Sequence, residues 1–206
     1  MHKTSKGLKI FAFLVYFFLL APLVIIVFAS FGPDKSLTFP PRGFSLKWMA
    51  NIFKVEMFRK TFLISIKISV IGTLIALVLG IPAAYALSRY NFRGKSFFNG
   101  IFLSPALIPG IVLGFSLLKY LVIYFKLPIY TSLLIGHVII IIPYIIRVIS
   151  SSLSNFDYSI EEASMSLGAN KVKTFFTVVL PNIRSGVIAA FILAFINSFN
   201  NVPVSL

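Results

Sequence analysis

The sequence predicts an all-α, polytopic helix bundle embedded in a membrane, and three observations carry that prediction. Of 206 residues 58% are hydrophobic and 12% charged, with a mean hydropathy of +0.97; soluble domains carry about 25% charged residues. Five apolar runs have the length needed to cross about 30 Å of hydrocarbon. The basic residues behind the formal charge of +14 lie mostly in the short gaps between those runs, where membrane proteins anchor to anionic lipid and set their orientation. A nucleic-acid partner is excluded on the same ground, because such a face needs its Lys and Arg gathered on one surface. There is no cysteine, and His2 and His137 stand far apart, so neither a disulfide nor a metal cluster is expected.

The first run spans about Leu8 to Phe31, behind Lys3, Lys6 and Lys9. It exceeds the 7–15 apolar residues of a secretory signal and reads as an uncleaved anchor. An outer segment, 32–60, follows, with turn formers at Gly32, Pro33, Pro40, Pro41 and Gly43. Its Leu46, Met49, Ile52 and Phe53 share a helical face beside Trp48, the pattern of a helix lying at the membrane surface. The second run covers Thr61–Leu87, the third Gly100–Phe125, the fourth Tyr130–Val148 and the fifth Gly186–Leu206.

With a cytoplasmic N-terminus, the inner gaps hold Arg89, Arg93, Lys95, Arg147, Lys171, Lys173 and Arg184 besides the N-terminal lysines. The outer gaps hold Lys35, Arg42, Lys47, Lys54, Arg59, Lys60 and Lys126. The inside excess is small, but it has the expected sign. Lys67 and Lys119 lie near the outer ends of their runs and can snorkel. His137, nearer mid-span, reads as a hydrogen-bonded packing residue. Gly72, Ala76, Gly80 and Ala84 form a small-residue stripe, and Gly110 with Gly114 repeats the spacing; such stripes let helix backbones approach closely in lipid. Pro82, Pro105, Pro109 and Pro143 each remove a helical hydrogen bond. The cluster Ser104–Gly110 is either a broken helix lining a pathway or a kink absorbed by packing. Asn197, Asn200 and Asn201 either line that pathway or bond between helices.

Residues 150–185 form a second long polar interruption, between the fourth and fifth runs. Ser159 and Glu162 have the spacing of a capping box, and Glu161 and Glu162 lie where the helix dipole favours anions. The expected helix ends at Leu167, with Gly168 as a left-handed C-cap. Asn170 caps a second helix, whose Val172, Phe175, Phe176 and Val179 make one apolar stripe, and Pro181 ends it. A helix–turn–helix of this kind is either a well-capped loop or a plug for a groove on another protein.

Glu162-Ala163-Ser164, three residues, Gly168, nine residues, Val178, one residue, Leu180-Pro181 resembles the signature loop of permease subunits of type I ABC importers, with Ser164 for Ala and Val178 for Ile as its departures. Ile81–Arg89 followed by Phe92-Arg93-Gly94 is similar to the exit of the second span in these permeases. Leu107–Gly114 and Phe39–Trp48 are similar to their spermidine/putrescine branch.

The resemblance implies a pathway shared with a second permease subunit, ATP-binding subunits on the cytoplasmic side, and an extracytoplasmic solute-binding protein, all in the bacterial inner membrane. Ser159, Glu161, Glu162, Ala163, Leu167, Gly168, Leu180 and Pro181 would form the coupling loop. Pro105, Pro109, Gly110, Asn197, Asn200 and Asn201 are the pathway candidates. The family's usual sixth span is expected beyond Leu206, so the sequence reads as a fragment or a truncated frame. Gly94-Lys95-Ser96 is a decoy: the phosphate-binding loop needs glycine where Arg89 stands. No cofactor, metal or enzymatic activity is therefore expected in this chain, and ATP would be held by a partner. A polyamine cation would want carboxylates or aromatic faces, and no acid lies within a span. An importer for another small solute (iron, phosphonate or opine), a non-transporting scaffold and a passive channel are the alternatives.

Overall fold

The structure is a computed structural model that describes residues 5–36 and 38–205; His2, Lys3 and Leu206 lie outside the described residues. Most of those residues are helical, and there is no strand among them. The chain divides into two units, residues 1–62 and 63–206, the boundary falling inside the long helix that begins at Glu56.

In the first unit α1 spans Lys6–Ser30, started by the Ser5 hydroxyl, which accepts from the amide of Leu8 at 3.3 Å. Beyond it the rings of Phe31 and Phe44 stack at 4.9 Å. The indole N–H of Trp48 donates to the carbonyl of Asp34 at 2.9 Å. The helix foreseen around Trp48 is short: α2 covers only Lys47–Ile52. Helix α3, Glu56–Arg89, then starts.

The second unit is built around α6, Ile129–Ser154. Its Ile141, Ile145, Ile149 and Leu153 recur every four residues and are fully buried. The stripe on α3 packs against it: Gly72 meets Leu134 and His137, and Gly80 meets Ile145. On another side of α6 lies α10, Arg184–Phe199. It carries a second stripe that sequence reading passed over: Gly186, Ala190, Ala194 and Ser198 are all buried, and Gly186 lies so close to Ser152 that no side chain fits between them. In lipid no hydrophobic force draws helices together, so close packing through small residues sets these interfaces. The buried Nδ1 of His137 and hydroxyl of Ser198 add a hydrogen bond of 2.8 Å between α6 and α10.

The prolines divide by consequence. Pro82 and Pro143 stay inside continuous helices. Pro105 and Pro109 sit at a true break: α4, Lys95–Leu103, passes through a 3₁₀ turn at Ser104–Leu107 and resumes as α5, Gly110–Leu117, after a bend of 103°. The N–H that Pro105 lacks would have served the carbonyl of Ile101, and the Ser104 hydroxyl donates to that carbonyl at 2.9 Å. A π-helical segment, Leu118–Tyr124, completes this stretch. The fifth run is likewise broken: α10 ends at Phe199, and Asn200 and Asn201 separate it from α11, Val202–Ser205. Thus α1, α3 and α6 are each long and apolar enough to cross a membrane, and two bent pairs raise the number to five if each is one span.

Candidate functional site

The polar interruption folds as a helical hairpin, and its caps differ in part from the expected ones. Helix α7 spans Tyr158–Ser166 and is capped by Asp157, whose carboxylate accepts from the amide of Ser159 at 2.9 Å. The Ser159–Glu162 box does not form because the chain turns helical two residues earlier. Asp157 has the β-region backbone that an N-cap requires. The amide of Ser159 holds the Asp157 carboxyl below its usual pKa. At the other end Gly168 has φ +92°. The amides of Gly168 and Ala169 bond back to the carbonyls of Met165 and Ser164 at 3.0 and 3.2 Å, a Schellman closure.

Asn170 caps α8, Lys171–Thr174, by accepting from the amide of Lys173 at 2.8 Å. The helix continues through a π-helical segment, Phe175–Val179, into α9, Leu180–Asn182. The wider turn shifts the buried face, so the foreseen stripe splits: Val179 and Thr174 are buried and Phe175 half-buried, while Val172 and Phe176 stay exposed. Pro181 lies within α9, and the bend of 73° falls after Asn182, ahead of α10. The hydroxyls of Ser164 and Thr174 are 3.1 Å apart and tie the two arms together.

The two adjacent glutamates part company. Glu162 is exposed, as are Ser159, Ala163 and Gly168; Leu167 is 90% exposed. Glu161 is 1% exposed. Its Oε1 lies 2.8 Å from Nε of Arg89, in the last turn of α3. This is a charge contact lying off the N–H axis rather than a linear hydrogen bond. Its Oε2 accepts from the Tyr85 hydroxyl at 2.7 Å. Arg89 also donates to the carbonyl of Phe156 at 3.2 Å, with its guanidinium 5.8 Å from the Phe156 ring and 5.1 Å from that of Tyr158. Removing one partner from a buried ion pair strands the other charge and costs about 3–5 kcal/mol.

Three residues spread over both arms of the hairpin reach that end of α3. Besides Glu161, Phe175 meets Tyr85 edge to face at 5.1 Å, and Lys171 sits 5.1 Å over the ring of Tyr90. Sequence reading gave Tyr85 and Arg89 no role here. The available signal was their i, i+4 spacing at the exit of the second run, which puts both on one helical face.

The hairpin and the bundle that holds it match one family. Residues 76–205 fit the model described as binding-protein-dependent transport system inner membrane component. The chain belongs to that family. It is 34% identical to the spermidine/putrescine transport system permease protein PotC of Haemophilus influenzae, over 95% of this chain and 76% of that one. It is 32% identical to the putrescine transport system permease protein PotI of Escherichia coli strain K12, over 91% and 69%. A crystal structure of a bacterial ABC transporter involved in the import of the acidic polysaccharide alginate covers 100% of this chain and 81% of its own, with a TM-score of 0.69 at 19% identity, which is a likeness of fold. The protein is thus an all-α, multi-pass permease subunit of an ABC importer, with the type I fold.

In this permease five of the six pathway candidates fall at the two breaks, and Asn197 lies in the last turn of α10. Pro105 lies in the 3₁₀ turn, Pro109 caps α5 and Gly110 begins it. Gly110 and Gly114 pack against Pro203 of α11, so the two broken segments meet. Two side-chain amides bond locally, Asn197 donating to the carbonyl of Leu193 at 2.9 Å and Asn201 accepting from the amide of Val204 at 3.1 Å, while Asn200 closes α10 through its backbone N–H. A mainly apolar cavity of about 160 Å³ lies beside this junction, walled by Gly114, Leu118, Ser132 and Val204 among others; none of the six candidates lines it.

Proposed function

We propose that the chain forms part of the pathway of an ATP-driven importer and that α7 is the element gripped by a separate ATP-binding subunit. The observation that carries this reading is the outward face of α7: Glu162, Ala163 and Leu167 bare on a helix whose other side is anchored. A projecting helix with an acidic start and a bare leucine suits a groove on another protein. In this assembly a second permease subunit completes the pathway, a solute-binding protein delivers the solute from outside, and the N-terminus and hairpin are cytoplasmic. The nucleotide and its hydrolysis belong to the ATP-binding partner.

Polyamine is the proposed solute, on the strength of what the relatives PotC and PotI transport by name. One observation favours a second solute within the same family. The five acids are Asp34, Glu56, Asp157, Glu161 and Glu162, and Glu161 is already bound to Arg89, so the apolar runs of this chain offer no carboxylate to a cation. Selectivity would then rest with the solute-binding protein.

The test is co-purification and uptake. Glu162→Lys reverses an exposed charge that touches none of the hairpin's internal bonds, so the fold persists while the ATP-binding subunit is lost and ATP-dependent uptake stops. Retention of the complex with normal uptake would refute the assignment of α7. Spermidine or putrescine retained by the companion solute-binding protein would support the polyamine reading; another ligand would replace it.

A further inference from the structure

We infer that Glu161, Arg89 and Tyr85 form a strut that transmits motion of α7 to α3, so that the two neighbouring glutamates divide the work: Glu162 for grip, Glu161 for transmission. The inference rests on the coupling reading above and assigns a role to a cluster centred on the buried Glu161. Glu161 is buried on the inner side of α7 and cannot reach a second protein. What it reaches is the last turn of α3, through a 2.8 Å charge contact to Arg89 and a 2.7 Å hydrogen bond from Tyr85.

Helices packed through apolar side chains can make small shear motions past one another. A carboxylate held on both oxygens cannot slide without losing a partner in a place where water does not replace it. The contact is therefore stiff against displacement of α7 along or around α3. Arg89 is braced in turn by the Phe156 carbonyl and by the rings of Phe156 and Tyr158, so a shift of α7 moves the guanidinium rather than merely bending it away. From Arg89 the small-residue face of α3 runs along α6 past Ala84, Gly80 and Ala76 to Gly72. That distance is about 25 Å at 1.5 Å per residue. A displacement imposed at the cytoplasmic end is thus delivered to the helix interface at the core of the bundle. Simple packing would account for the burial. It would not account for a paired charge placed there, since a well-packed apolar group is often as stable as a buried ion pair.

The experiment uses the whole transporter with its ATP-binding subunits and solute-binding protein, reconstituted in lipid vesicles. Glu161→Gln and Arg89→Met are compared with Glu162→Lys for three readouts: co-purification of the ATP-binding subunit, stimulation of ATP hydrolysis by the loaded solute-binding protein, and uptake. The expected result is that Glu161→Gln and Arg89→Met keep the ATP-binding subunit and its basal hydrolysis, while stimulation and uptake fall by about fivefold or more, the lower end of typical couplings between sites. The exchange Arg89→Glu with Glu161→Arg restores part of the loss.

Tyr85→Phe removes one hydrogen bond and no charge; it shows the same split to a smaller degree and decides the matter if a charge variant fails to fold. Normal stimulation and uptake in Glu161→Gln, or in Tyr85→Phe where the charge variants do not fold, would overturn the strut while leaving the docking of α7 intact. Loss of the ATP-binding subunit from Glu161→Gln at wild-type yield would overturn it too, by making Glu161 a docking residue. A Glu162→Lys variant that still binds the ATP-binding subunit would instead remove the coupling reading on which the strut rests.

Discussion

A methyl group placed at Gly80 probes the contact that seats α3 on α6. The Cβ of an alanine there would stand 2.7 Å from Cγ2 of Ile145 and 3.3 Å from its Cβ, whereas carbons in contact prefer about 3.5–4.0 Å. Ile145 is fully buried, and a β-branched side chain in a helix is held to one χ1 rotamer, so it cannot turn aside. The helices must open by close to 1 Å at this level, and a gap of that size forfeits about a quarter to a half of the attraction at neighbouring contacts. Overpacking of this kind costs about 1–3 kcal/mol. Alanine recovers up to about 1 kcal/mol through its better helix propensity. The net expectation is a loss of about 1–2 kcal/mol, or about 5- to 30-fold in the folded-to-unfolded ratio.

Gly100→Ala is the matched control. It is also helical, but nothing lies within 4 Å of the added methyl, so it should be neutral or slightly stabilising. Reversible unfolding in mixed micelles, followed by circular dichroism, measures both. The double variant Gly80→Ala with Ile145→Ala removes the colliding atom and should lose less than the two single variants summed. If Gly80→Ala proves as harmless as Gly100→Ala, the close approach of α3 and α6 is wrong.

Two further predictions concern the hairpin. Gly168→Ala forces a Cβ into left-handed backbone at φ +92° with no neighbour nearby, so the cost is conformational, about 1–2 kcal/mol; hydrogen exchange at the amides of Gly168 and Ala169 should accelerate, and Gly168→Asn should be milder than Ala. The Asp157 carboxyl is held below its usual pKa by the Ser159 amide. Its contribution to α7 is therefore complete above the ordinary carboxylate pKa of about 4 and is lost as pH falls through the depressed value. Protection of the Ser159 amide followed against pH checks this, and loss of protection already at pH 6 would contradict it.

Local chemistry makes much of this permease legible in its amino-acid sequence. The length and apolarity of the runs determine which segments are helical, because a backbone in lipid must satisfy its own hydrogen bonds. Asn170 and Gly168 punctuate the hairpin where their side chains, or lack of one, dictate. The stripe at Gly72, Ala76, Gly80 and Ala84 announces a close helix contact, and the spacing from Glu162 to Pro181 announces the family.

Tertiary structure decided the rest. Glu161 and Glu162 are the same residue type one position apart, and no periodicity distinguishes their roles. What separates them is whether a hydroxyl and a guanidinium wait on the inner side, and the Tyr85 hydroxyl comes from 76 residues earlier in the chain. The four prolines are equal as hydrogen-bond breakers, yet only Pro105 and Pro109 mark a bend of 103°. Pro82 and Pro143 lie in helices that run on uninterrupted. The burial and pairing of a charge, and the fate of a freed carbonyl, depend on which distant groups the packed bundle brings within reach.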